Sequence, residues 1–113
     1  MIDDGKRPTW FIEVAKIQAY LLNPNHLDGA SKDKFLRSFG YDPRRPEELA
    51  NSLATQGMMA LPGLTVIPRK GLPRLVLEGP LDAPDGRTPM VRTVWEWSDS
   101  TTLRFITLVP LTK

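Results

Sequence analysis

Two periodicities divide the chain. In its first half apolar residues return every three or four positions, the spacing of a helix with one buried face. Over residues 13–22 that face is Val14, Ile17 and Leu21, with Ala15 and Leu22 at its margin and Glu13, Lys16 and Gln18 outside it. Trp10 and Phe11 are expected to anchor the start of this helix, after a polar and loosely held stretch, residues 1–9. Asn23, Pro24 and Asn25 stop it, because proline disfavours helical geometry in the residue before it. Asp28, Gly29 and Ser31 are turn and cap residues. A second helix is predicted from Ser31, with Phe35, Leu36 and Phe39 in phase and Gly40 placed to end it. A linker follows over residues 41–46. Pro46, Glu47 and Glu48 then read as the first turn of a third helix, which Leu49 and Leu53 continue toward Gly57.

After Pro62 the pattern changes to short runs rich in Val, Leu, Ile, Trp and Phe, cut by prolines and glycines, which favour strands. Strands are predicted over residues 64–69, 72–78 (with an extension through Gly79 and Pro80), 90–97 and 103–108. The links are tight: Arg69-Lys70-Gly71, a turn at Asp85-Gly86, and Ser98-Asp99-Ser100. Consecutive strands so joined form an antiparallel meander. The expected fold is therefore α+β, with N-terminal helices packed on one face of a four-stranded antiparallel sheet. Within residues 90–97, Val91, Thr93, Trp95 and Trp97 share a face, and Arg92, Val94 and Glu96 share the other. In the last strand Leu103, Phe105, Thr107 and Val109 are expected to fall together. Thr93 and Thr107 then pack in the core or line a cleft. Arg92 needs a partner on its strand, either Glu96 or a bound phosphate.

Composition narrows the classes. A chain of 113 residues, 25% charged and 41% hydrophobic, suits one soluble domain over residues 1–113. Without cysteine there is no disulfide or thiolate site, and with a single histidine no zinc site is expected. No cofactor is implied. No apolar run approaches the ~18 residues of a membrane span, and the N-terminus lacks a signal-peptide pattern, so a cytoplasmic protein, or a terminal fragment of something larger, is expected. A net charge of +2 permits an RNA partner without demanding one. The candidate chemistry gathers between the first two helices. His26, the lone histidine, precedes a helix start that carries Lys32 and Lys34, and helix N-termini attract anions. The plainer alternative is an ordinary surface histidine.

Three blocks carry a resemblance: Tyr20-Leu21-Leu22-Asn23-Pro24-Asn25-His26 with Gly29 and Lys32; Glu78-Gly79-Pro80-Leu81, Pro84-Asp85-Gly86-Arg87 and Val91-Arg92-Thr93-Val94-Trp95; and Leu103 to Pro110, centred on Thr107. The chain resembles a bacterial small-domain family of unassigned activity. It also looks like the C-terminal toxin domains of contact-dependent inhibition and other polymorphic toxins, which have the barnase–EndoU–colicin–RelE ribonuclease fold. One departure is Leu27, where that pattern has proline after the histidine. The resemblance implies metal-independent RNA cleavage, with tRNA as substrate and a cognate immunity or antitoxin protein as partner. His26 then takes or gives a proton, and Lys32 and Arg92 stabilise the charged phosphorane. Thr93 and Thr107 orient the phosphate or the 2′-hydroxyl, while Lys34 and Trp95 bind substrate, Trp95 by stacking unless it belongs to the core. The competing expectations are a non-catalytic protein-binding module of a two-gene system and a structural domain of a phage or secretion machine.

Overall fold

The structure, a computed structural model, describes residues 8–27 and 29–111. Residues 1–7 of the stretch expected to be loose, and the turn residue Asp28, lie outside the described residues. The elements in order are β1 (Thr9–Phe11), α1 (Val14–Lys16) running into a π-helical turn (Ile17–Leu21), α2 (Ala30–Arg37), α3 (Pro46–Ala60), β2 (Leu64–Val66), β3 (Arg74–Pro80), β4 (Met90–Trp97) and β5 (Thr102–Pro110). The α+β class holds, with helices preceding the meander. The sheet, however, has five strands in the order β1-β5-β4-β3-β2, and it is mixed. β1 pairs parallel to β5, Trp10 opposite Leu103, where an all-antiparallel sheet was expected. The segment that was to anchor a helix is instead a short edge strand. Trp10 packs edge-on against Trp95, ring centroids 4.8 Å apart.

The core lies between the helices and the inner face of the sheet. Leu77, Trp95, Leu103 and Phe105 from the strands meet Ile17, Leu21, Leu36, Leu49 and Leu53 from the helices. Gln56 of α3 reaches into this layer and donates to the Leu77 carbonyl at 3.1 Å. α3 passes through Gly57 rather than ending there. A Cβ on Gly57 would lie 2.4 Å from Cζ3 of Trp10, so this glycine makes room for the tryptophan and does not stop the helix. Gly40 does terminate a helical segment, at φ 99°, a conformation that favours glycine.

β4 and β5 pair with a break in register. Trp95 faces Phe105, but Val94 faces Thr107, so Ile106 is an extra residue on β5, a β-bulge. Phe105 and Leu108 are therefore buried, while Ile106 and Thr107 between them are only partly covered. The bulge removes Thr107 from the face of Leu103 and Phe105 where alternation had put it.

Candidate active site

β1 pairs with β5 only over Thr102, Leu103 and Arg104. Beyond Arg104 that side of β5 carries no strand among the described residues, and the bulged Ile106 and Thr107 lie along it. Tyr20, from the π-helical turn, reaches β5 there: its hydroxyl and that of Thr107 are 2.8 Å apart and hydrogen bonded. The turn is closed by the Leu22 N–H donating to the Ile17 carbonyl at 2.7 Å, five residues back. Wider turns of this kind recur at functional sites. This one buries Ile17, Leu21 and Leu22 while leaving Tyr20 at the rim.

The chain then loops through His26 and returns into α2. Lys32, in the first turn of α2, donates to the Tyr20 hydroxyl oxygen at 2.9 Å. His26 stacks edge-on against the Tyr20 ring at 4.9 Å between centroids, and its Nδ1 accepts the Gly29 N–H at 3.0 Å. Lys16, one turn before Tyr20, places its ammonium 4.9 Å from the ring centroid. Lys16, Tyr20, His26, Lys32, Ile106 and Thr107 line an open cleft of about 600 Å³. Burial pushes the Tyr20 phenol up, but the hydrogen bonds from Lys32 and Thr107 and the charges of Lys32 and Lys16 outweigh it, so the group ionises below the ordinary tyrosine range. Two cations, two hydroxyls and an imidazole round one cleft suit an anion with several acceptor oxygens, such as a phosphate.

Of the residues expected to act together, His26, Lys32 and Thr107 share this cleft. The others do not. Thr93 has 0% exposure; it donates to Gln56 Oε1 at 2.8 Å and accepts from Trp95 Nε1 at 2.8 Å. Its hydroxyl satisfies buried polar groups and cannot touch a substrate. Trp95, also 0% exposed, is core and offers no face to a base. Arg92 sits on the outer face of the sheet, paired across strands with Glu78, its Nε 2.8 Å from Oε2. The anticipated partner, Glu96, instead accepts from Arg104 at 3.1 Å. Partners in a sheet lie across the ladder rather than two residues along one strand. Lys34 is exposed, two positions past Lys32 and so on another side of α2, away from the cleft lining. Asp33 between them is buried and paired with Arg37.

Besides Ile106, two polar cleft residues, Tyr20 and Lys16, were not anticipated as site residues. Their spacing was a usable signal: i and i+4 on one helical face, with tyrosine the polar member beside an apolar stripe.

A family profile for a domain of unknown function (DUF6883) matches residues 7–112. The chain belongs to this family. No curated protein matches it. Among solved structures, this DUF6883 domain is similar to a chain of the contact-dependent growth inhibition toxin–immunity protein complex from Klebsiella pneumoniae 342. The TM-score is 0.69 at 16% identity, covering 90% of this chain and 93% of that one. At that identity the likeness is one of fold. No helix among the described residues is long and apolar enough to cross a membrane.

Proposed function

We propose that this DUF6883 domain is a metal-independent endoribonuclease toxin that cuts tRNA by attack of a ribose 2′-hydroxyl on its own phosphate. The products are a 2′,3′-cyclic phosphate and a free 5′-hydroxyl, and a cognate immunity or antitoxin protein restrains the activity. The observation that carries this reading is the cleft itself. Lys16 and Lys32 supply positive charge, and His26, Tyr20 and Thr107 supply hydrogen-bonding and proton-carrying groups within reach of one phosphate. Substrate-assisted cleavage needs these parts: charge stabilisation for the phosphorane and groups that move protons. Among the described residues no cluster of three or more His, Asp or Glu is placed to hold a metal ion. The fold shared with a chain of a toxin–immunity complex gives the toxin assignment and the protein partner their support.

Purified protein incubated with total tRNA in excess EDTA should generate new ends bearing a cyclic phosphate, and DNA, which has no 2′-hydroxyl, should survive. His26→Ala should slow cleavage by at least ~10²-fold, the usual worth of one such group. A requirement for magnesium, or degradation of DNA, would reject the mechanism.

One observation favours a second reading, a protein-binding module. The β2 edge is apolar and open, with Leu64 64% and Ile67 71% exposed and Met59 81% exposed at the nearby end of α3. Failure to cut any RNA would favour it.

A further inference from the structure

Hydrogen bonding inside the cleft bears on where the 2′-hydroxyl proton goes, given the ribonuclease reading above. His26 looks the natural base, but its Nδ1 already accepts the Gly29 N–H. In a neutral ring an accepting Nδ1 leaves the proton on Nε2, which makes Nε2 a donor. The opposite tautomer, with a basic Nε2, forfeits the Gly29 bond. With Nδ1 accepting, His26 is a hydrogen-bond donor at Nε2 rather than a group that removes a proton.

Tyr20 is built differently. Lys16 faces it from α1, Lys32 from α2, His26 from the loop and Thr107 from β5. Lys32 has only donors to offer, so the Tyr20 oxygen is an acceptor in their 2.9 Å bond. As phenolate, that oxygen would accept from Lys32 and from Thr107 and still keep a lone pair for a third donor. We infer that Tyr20, not His26, accepts the 2′-hydroxyl proton, and that Lys32 protonates the departing 5′-oxygen. The 2′-oxygen bonds to phosphorus as its proton passes to the Tyr20 phenolate. The bond from phosphorus to the 5′-oxygen breaks, and that oxygen takes a proton from the Lys32 ammonium. Tyr20 then holds one proton more and Lys32 one fewer than at the start. Transfer along their existing hydrogen bond restores both, so no outside acid or base is consumed. The lowered ionisation range of Tyr20 agrees with this use.

The test is single-turnover cleavage of tRNA in EDTA as a function of pH. The wild-type rate should climb with pH to a plateau whose break lies below ~10, the ordinary tyrosine value. Tyr20→Phe should lose roughly 10²–10⁴-fold and the break with it. Placing 3-fluorotyrosine, a stronger acid, at position 20 should keep cleavage and move the break to lower pH, which a merely structural tyrosine could not do. His26→Gln should slow the reaction by roughly 10²–10³-fold and leave the break in place. The loss in Lys32→Ala should be recovered with RNA carrying sulfur at the scissile 5′ position, because a thiolate departs without a proton. The inference falls if Tyr20→Phe cleaves within a few-fold of wild type, if fluorination leaves the break unmoved, or if the profile breaks in the histidine range and that break vanishes in His26→Gln. Lack of rescue by the sulfur substrate overturns the role of Lys32. Should Tyr20→Phe fail to fold by circular dichroism, the fluorinated protein decides. Wild-type protein that cuts no RNA overturns this inference and the ribonuclease reading together; cutting that ignores Tyr20 overturns this one alone.

Discussion

Gly29 ties the cleft together for a steric reason. Its backbone is in an ordinary conformation, φ −88°, but an added Cβ would fall 2.0 Å from the Tyr20 carbonyl oxygen and 3.2 Å from His26 Cβ. No side chain fits between the π-helical turn and the loop that returns to α2. Gly29→Ala must push these segments apart, and with them His26 and Lys32. The expected cost is about 1–3 kcal/mol of stability, as for overpacking elsewhere. The proposed cleavage should fall ~10²-fold, because positioning errors near 1 Å are that expensive in catalysis. Melting curves and rates on the same protein measure both; a variant as active as wild type would mean the loop adapts without moving the site. Arg92 supplies the contrast. Its ion pair with Glu78 is solvent-exposed on both sides, 42% and 50%, and such pairs contribute about 1 kcal/mol or less. Arg92→Ala should therefore leave tRNA cleavage within a few-fold of wild type and the melting temperature nearly unchanged. A severe loss of activity would return Arg92 to the site.

At the scale of elements, legibility followed length and regularity. β4 matches residues 90–97 as predicted, because Val91, Trp95 and Trp97 recur on one face over eight residues bounded by turn signals. α2 and α3 were also visible from apolar spacing, although α3 outruns its predicted end by passing Gly57. β1 was hidden, since three residues give no period and its pairing with β5 is set by distant packing of Trp10. The bulge at Ile106 was hidden for a similar reason. One inserted residue reverses the faces of everything after it, and nothing in Leu103 to Pro110 marks where the insertion lies. That single irregularity separates Thr93 from Thr107, and so decides which threonine reaches the cleft. At Gly57, inside α3, helix propensity and packing pull in opposite directions. In an open helix, glycine to alanine is stabilising by roughly 1 kcal/mol. Here the new methyl would strike the Trp10 ring at 2.4 Å, so Gly57→Ala should instead lower the melting temperature and loosen β1 from β5. Hydrogen exchange at the Thr9 amide, which donates to the Thr101 carbonyl at 2.7 Å, would report that loosening. A more stable variant with unchanged protection would show the tryptophan free to repack.

For the molecule as a whole, charge limits how the proposed RNA substrate could be held. The net charge is only +2, and several of the arginines are spent on acidic neighbours: Arg37 on Asp33, Arg44 on Asp42, Arg87 on Asp85, Arg92 on Glu78, and Arg104 on Glu13 and Glu96. Two lysines, Lys16 and Lys32, line the cleft. A protein that neutralises Z phosphates of a single strand loses affinity with a salt slope near −0.7Z. For Z of about 2, the expected slope of log K against log salt is about −1.4. The proposed engagement is therefore local, one or two phosphates gripped in a cleft rather than a duplex tracked along a basic face, and binding should survive moderate salt. Lys16→Ala should make the slope shallower by about 0.7, whereas Lys34→Ala, outside the cleft, should leave it unchanged. Titration of the slowed His26→Ala protein with labelled tRNA, at times short against its cleavage, across a salt series measures all three. A slope of about −4 or steeper would mean that a wide surface binds RNA, and the cleft would then be one contact among many rather than the place where the substrate is held.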